Sequence, residues 1–77
     1  MQMRFYLHIG DADSIIFDEE GLDFPDLDAA RDEARTSIQD LLADDIRRGK
    51  PTARRHINIT DEHGAALDHV ALAVTVS

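Results

Sequence analysis

Residues 26–49, with the sequence DLDAARDEARTSIQDLLADDIRRG, decide the fold because they predict one long amphipathic helix. The aspartate at its start suits an N-cap, where a carboxylate accepts the unpaired amides of the first turn. Gly49 suits the position after the last turn, and Pro51 prevents the helix from continuing. Between these limits the apolar side chains recur at helical spacing, flanked by Leu42: Leu27, Ala30, Ala34, Ile38 and Leu41.

Alternating residues before this helix predict a β-hairpin. In residues 4–9 the apolar side chains alternate with Arg4, Tyr6 and His8, a period of two that is typical of a half-buried strand. A turn at residues 10–13 leads to a second short strand, Ser14 to Asp18. Residues 19–25 contain glycine and proline and predict a loop, with its two large apolar side chains, Leu22 and Phe24, tucked beneath it.

A second hairpin is predicted after the helix. Ile57 and Ile59 alternate with polar residues, residues 61–64 form the turn, and a last strand carries Val70, Leu72, Val74 and Val76 on one face. The chain from 1 to 77 is therefore predicted to be a single α+β domain with the order ββαββ. Its four-stranded, mainly antiparallel sheet carries one helix on one face. We expect the hairpins to lie side by side with the first strand central.

Length, charge and composition exclude several classes of protein. A chain of 77 residues is too short for a multidomain enzyme or a full dinucleotide-binding unit. The absence of cysteine excludes disulfides and thiolate metal sites, and it favours a cytoplasmic protein. No apolar run approaches the roughly 20 residues of a membrane span. A chain of this size forms only a small hydrophobic core and gains stability from association. We therefore expect a homo-oligomer, in the simplest case a dimer.

The sheet face opposite the helix is the first candidate interaction surface. If the alternation holds, the polar side chains of three strands share this face, and we expect a second copy to dock there or on an edge strand. The residues singled out are Tyr6, His8, His56, Asn58 and His69. Three imidazoles could also hold a zinc ion. No tight ligand spacing supports that alternative, so we predict no metal, no cofactor and no catalytic residue.

A basic patch in the second half of the chain is the alternative interaction surface. Five of the eight cationic side chains fall between positions 47 and 55: Arg47, Arg48, Lys50, Arg54 and Arg55. Such a cluster could contact phosphate groups, as in a nucleic-acid-associated or regulatory partner protein. The net charge of -8 opposes that role, and aromatic residues for stacking on bases are absent nearby. We therefore do not expect nucleic acid as a partner.

Three motifs in order resemble a known family. They are the aromatic first strand FYLH at residues 5–8, DEEGLDFPDLDAAR at residues 18–31, and INITDEHG at residues 57–64. Together they cover nearly the whole chain and are similar to a domain-of-unknown-function family of very short, mostly alphaproteobacterial proteins. The family has no assigned reaction, so the resemblance implies no catalytic residue. Relatives often continue into a short polar tail, whereas this chain stops at Ser77.

Overall fold

The computed structural model describes residues 1–11 and 13–75 as an antiparallel sheet with one helix on one face. Its elements are β1 (Met3–Gly10), β2 (Ile15–Ile16), β3 (Leu22–Phe24), α1 (Leu27–Arg47), β4 (Thr52–Thr60) and β5 (Ala66–Thr75). The strand order is β2-β1-β4-β5, and β3 pairs with the beginning of β1. Every pairing is antiparallel. The prediction of two adjacent hairpins with a central first strand is therefore confirmed.

The sheet has five strands, so the prediction of four was wrong. Residues 22–24, predicted as part of a loop, form β3, in which Leu22 pairs with Phe5 and Phe24 pairs with Met3. Gly21 and Pro25 flank this segment and are typical of loops, so the pattern did not indicate a strand of only three residues. The second predicted strand is shorter than expected, since only Ile15 and Ile16 pair with β1.

The side chains of β3 also differ from the prediction. Phe24 packs against Phe5, with ring centroids 6.1 Å apart, and borders the core as expected. Leu22, which was predicted to be tucked away, is 52% exposed. It lies on the helix side of the sheet, but α1 packs mainly over β4 and β5, so the helix side of β3 is only partly covered. Val76, predicted as the end of the last strand, lies outside the described residues.

The helix begins and ends as its sequence predicts. The carboxylate of Asp26 accepts a hydrogen bond of 2.8 Å from the backbone amide of Ala29. Gly49 follows the helix with a φ of +86°, a conformation that glycine adopts at little cost. The buried stripe is close to the predicted one, except that Leu42 takes the place of Leu41 and the charged Asp45 continues it.

The core lies between α1 and the helix-facing side of the three long strands. Its residues are each less than one tenth exposed, and they are Phe5, Leu7, Ala30, Ala34, Ile38, Leu42, Ala53, Ile57 and Ile59. The small alanines of α1 let the helix lie close to the sheet. No helix of the described residues is both long enough and apolar enough to cross a membrane.

Candidate interaction surfaces

The alternation of β1 and β4 places the predicted interaction residues on the sheet face away from α1, called here the open face. Cross-strand pairing sets His8 beside Asn58, and Asn58 beside His69 of β5. His56 pairs with Gly10 two residues further along the same two strands, and Tyr6 pairs with Thr60. The five residues chosen from the sequence therefore lie on neighbouring positions of three strands.

His8 is held by hydrogen bonds on both ring nitrogens. Its Nδ1 accepts a bond of 3.0 Å from the backbone amide of Asp18, so the ring proton of the neutral form lies on Nε2. Nε2 is 3.1 Å from Oγ1 of Thr60 and donates to it. The ring of Phe17 packs edge-on against the imidazole, with centroids 5.3 Å apart. His8 therefore anchors the loop after β2, and its nitrogens are already engaged.

His56 and His69 form a stacked pair at the other end of the open face. Their rings are nearly parallel, with centroids 5.6 Å apart, and Asn58 Oδ1 is hydrogen-bonded to Nδ1 of His69. The His56 ring lies directly over Gly10, where a side chain would collide with it. Among residues 1–11 and 13–75, no three histidine, aspartate or glutamate side chains converge as a metal site would require.

The predicted basic patch is divided by ion pairs with the end of α1. Arg47 and Arg48 both approach Asp44, the latter at 3.1 Å. Lys50 lies 3.5 Å from a carboxylate oxygen of Asp45. Arg55 is paired with Asp45 as well, so four of the five cations have an acidic partner. Little unopposed positive charge is left for a phosphate backbone.

Asp45 and Arg55 form an ion pair that sequence reasoning missed, and Asp45 is the one buried charged residue in the described part of the chain. Nε and Nη2 of Arg55 donate to the two carboxylate oxygens of Asp45 at 2.9 and 3.0 Å. These bonds from Arg55 lower the pKa of Asp45 from 3.8 to about 2. The signal was present in the sequence, because Asp45 continues the helical stripe of Ile38 and Leu42 and therefore had to face the sheet.

One edge of the sheet is short and closed. β2 and β3 pair with the two ends of β1, and Asp18 fills the gap between them. Its carboxylate accepts hydrogen bonds from the backbone amides of Leu7, Glu20 and Gly21 at 3.0–3.2 Å. Burial raises the pKa of Asp18, but the three amide donors outweigh it, so that the pKa lies below its ordinary value. A single ionised side chain thus replaces the missing strand at mid-edge.

The opposite edge of the sheet, formed by β5, is long and open. Within the described residues β5 pairs with β4 alone, so one side of a ten-residue strand presents its backbone groups outward. From Val70 to Thr75 the strand has no charged side chain and no proline, and its irregularity lies at the other end, opposite Ile59 and Thr60. Leu72 is 44% exposed on the helix side.

A pocket of about 320 Å³ adjoins this open edge between β5 and α1. Ile38 and Gln39 line it from the helix, and Val70 and Leu72 line it from the strand. At its end, Arg31 forms an ion pair with Asp68, which fixes the start of β5 against the helix. Arg35 also lines the pocket, so its apolar part, formed by Ile38, Val70 and Leu72, lies among charged side chains beside the unpaired edge of β5.

Comparison with known proteins identifies the family of this chain. No curated protein and no solved structure matches it. One family model, described as a domain of unknown function, DUF6894, matches residues 4–73. The match spans all five strands and the helix up to Ala73, including the FYLH, DEEG and TDEHG motifs. On this match the chain belongs to the DUF6894 family of domains of unknown function.

Proposed function

We propose that this protein is a small, non-enzymatic interaction module that self-associates through the open edge of β5. The observation that carries the proposal is the contrast between the two edges of the sheet. At one edge, short strands and the Asp18 loop occupy the outer side of β1. At the other, alternate residues along the ten-residue strand β5 offer unpaired backbone donors and acceptors on its outer side. The lack of cysteine fits action in the cytoplasm.

Sheet edges of this kind are rarely left unprotected. Proteins usually shield an edge strand with a lysine, a proline, a bulge or a covering segment, because its backbone can pair with another chain. The apolar half of β5 has none of these protections in the described residues. Addition of a strand along it would satisfy the outward amides and carbonyls and would cover Leu72.

The thin core gives a second reason for a partner. The buried apolar set contains three alanines, and its largest fully buried side chains are Ile38, Ile57 and Ile59. Domains of this size bury only about 60% of the surface of the unfolded chain and gain much from association. We therefore take a second copy of this chain as the partner.

The mass in solution tests the proposal directly. At about 100 μM, well above the Kd of a micromolar contact, light scattering or sedimentation should give twice the 8.6 kDa mass of the chain. Leu72→Lys places a charge on the open edge and should return the mass to that of a monomer. A strict monomer for the unaltered chain at that concentration would refute the proposal.

A matched control separates edge blocking from a general effect of added charge. Ile16 is 69% exposed and lies in β2, at the closed edge. Ile16→Lys adds the same charge to the same sheet and should leave the dimer intact. If both lysine variants dissociate the dimer equally, the contact does not run along β5. Thermal unfolding of both variants shows whether each is folded.

A further inference from the structure

We propose that β5 pairs antiparallel with β5 of a second copy about a two-fold axis at Leu72. The inference rests on the proposed self-association and specifies its register. It is carried by the sequence of the open edge, Val70-Ala71-Leu72-Ala73-Val74, which reads the same in both directions. An antiparallel strand and its two-fold mate run in opposite directions, so a palindrome meets itself with every side chain matched.

The palindrome makes the two sides of the contact complementary in size. With the axis at residue 72, Leu72 faces its own counterpart, and Val70 faces Val74 of the second copy. Ala71 faces Ala73 in the same way. Directly opposed Cβ atoms in antiparallel strands are about 4.5–5.5 Å apart, so branched side chains meet branched ones and small ones meet small ones.

The faces of the sheet agree with this register. Val70 and Val74 pair with the core residues Ile57 and Ala53 of β4, so they and Leu72 point to the helix side. The axis at residue 72 sets these three side chains beside the same three of the second copy. The helix sides then join into one apolar strip. A shift of one residue would oppose helix-side valines to open-face alanines, which antiparallel pairing does not allow.

Neighbouring registers of the correct parity are worse. Moving the axis to Ala71 sets Val70 opposite Leu72 and Val74 opposite Asp68, so the Val70–Val74 match is lost. Moving it to Ala73 sets Ala71 opposite Thr75 and removes the Val70–Val74 match. The register at Leu72 alone keeps all five matched pairs, from Val70 to Val74.

The pocket beside β5 is completed by this arrangement. Leu72 and Val70 line one side of it, and Leu72 is 44% exposed although its neighbours on the same face border the core. The leucine and valines of the second copy would lie directly alongside. The second strand would bury Leu72, which explains why an apolar side chain is exposed at this position of the single chain.

Single-cysteine variants test the register, because the chain contains no cysteine of its own. Disulfides form where Cα atoms lie about 4.4–6.8 Å apart, which fits directly opposed positions. Leu72→Cys should therefore form a linked dimer under mild oxidation. Ala71→Cys alone should not, since its two copies lie diagonally at about 7–8 Å. A mixture of Ala71→Cys with Ala73→Cys should cross-link between the variants.

The outcomes separate the register from the proposed function. Linking of Leu72→Cys and of the mixed pair, without linking of Ala71→Cys, supports the axis at Leu72. A dimeric mass combined with linking of Ala71→Cys or Ala73→Cys alone moves the axis and overturns this inference, while self-association stands. A monomeric mass of the unaltered chain overturns both.

The unaltered chain provides an independent measurement that no substitution can disturb. In a dimer of one labelled and one unlabelled copy, isotope-filtered NMR detects only contacts between copies. The register at Leu72 predicts methyl contacts between Val70 of one copy and Val74 of the other. Intermolecular contacts confined to the open face, for example at Tyr6, would contradict it.

Discussion

Asp45 of α1 and Arg55 of β4 are joined by two parallel hydrogen bonds of 2.9 and 3.0 Å, with the Asp45 side chain only 5% exposed. The pair connects the last turns of the helix to the middle of the sheet, and Lys50 approaches the same carboxylate from the intervening turn. Two-pronged contacts of this kind fix orientation as well as distance. The pair therefore sets where the helix ends relative to β4.

Acid should destabilise the protein partly through this pair. The folded-state pKa of Asp45 is about 2, below its ordinary value of 3.8, so the unfolded chain binds the proton first. The stabilisation is complete above pH 3.8 and is lost as the pH falls through 2. Asp45→Asn should lower the unfolding free energy at pH 7 and flatten its decline in this window. Asp44→Asn, which alters exposed ion pairs, should keep the decline, as measured by denaturant unfolding across pH.

Two glycines with the same backbone conformation should respond differently to alanine. Gly21 and Gly49 both have positive φ values, +75° and +86°. A Cβ at Gly49 meets open space, so Gly49→Ala should cost about 1 kcal/mol of strain. A Cβ at Gly21 would lie 2.8 Å from Cγ of Arg4 and 3.0 Å from the Tyr6 ring, so Gly21→Ala should cost clearly more. Equal losses of thermal stability in the two variants would show that the loop around Gly21 shifts at little cost to accommodate the added Cβ.

Removal of the Asp18 carboxylate should open the closed edge of the sheet. Asp18→Ala leaves the amides of Leu7, Glu20 and Gly21 without their acceptor. Their hydrogen exchange should accelerate about fivefold or more, the equivalent of ~1 kcal/mol for a lost bond. Glu19→Ala, an exposed neighbour, serves as the control and should leave those rates unchanged. Unaltered protection in Asp18→Ala would mean that the loop is held by other contacts.

Core truncation should distinguish the two sides of the β4–β5 pair. Ile57 is fully buried, and Ile57→Ala should cost about 2–5 kcal/mol in unfolding free energy. In the monomeric range of concentration, Leu72→Ala should cost well under half as much because that side chain is 44% exposed. At high concentration the Leu72→Ala loss should grow, since association then contributes to stability. A loss for Leu72→Ala that is independent of concentration would argue against the β5 contact.

The main elements of the fold could be predicted from the sequence because their periods are unambiguous. The helix has both of its end signals, and the alternation in β1 and β4 assigns each side chain to a face. β3 was missed because three residues between a glycine and a proline carry too little pattern to distinguish a strand from a loop. Its pairing depends on Phe5 and Met3, which lie far away in the sequence.

The surfaces were less predictable than the core. The alternation located the open face correctly. The hydrogen bonds of His8 to Asp18 and Thr60, however, depend on the conformation of the loop after β2, which no hydrophobic periodicity predicts. The basic patch was divided because Asp44 and Asp45 fall at the helix end, beside the cations. The palindrome in β5 is visible in the sequence, yet it gains meaning only once β5 is known to be the outermost strand.

The difference between the two sheet edges also has a consequence for the extent of the proposed self-association. Growth of a fibril by strand addition requires every subunit to have two sheet edges that can pair with another strand, one for each neighbour. Here β2 and β3 offer two and three residues, interrupted by a carboxylate, and β5 offers ten. In the proposed dimer only these short strands, interrupted by the Asp18 carboxylate, would remain at the margins of the combined sheet, so we expect assembly to stop at two copies.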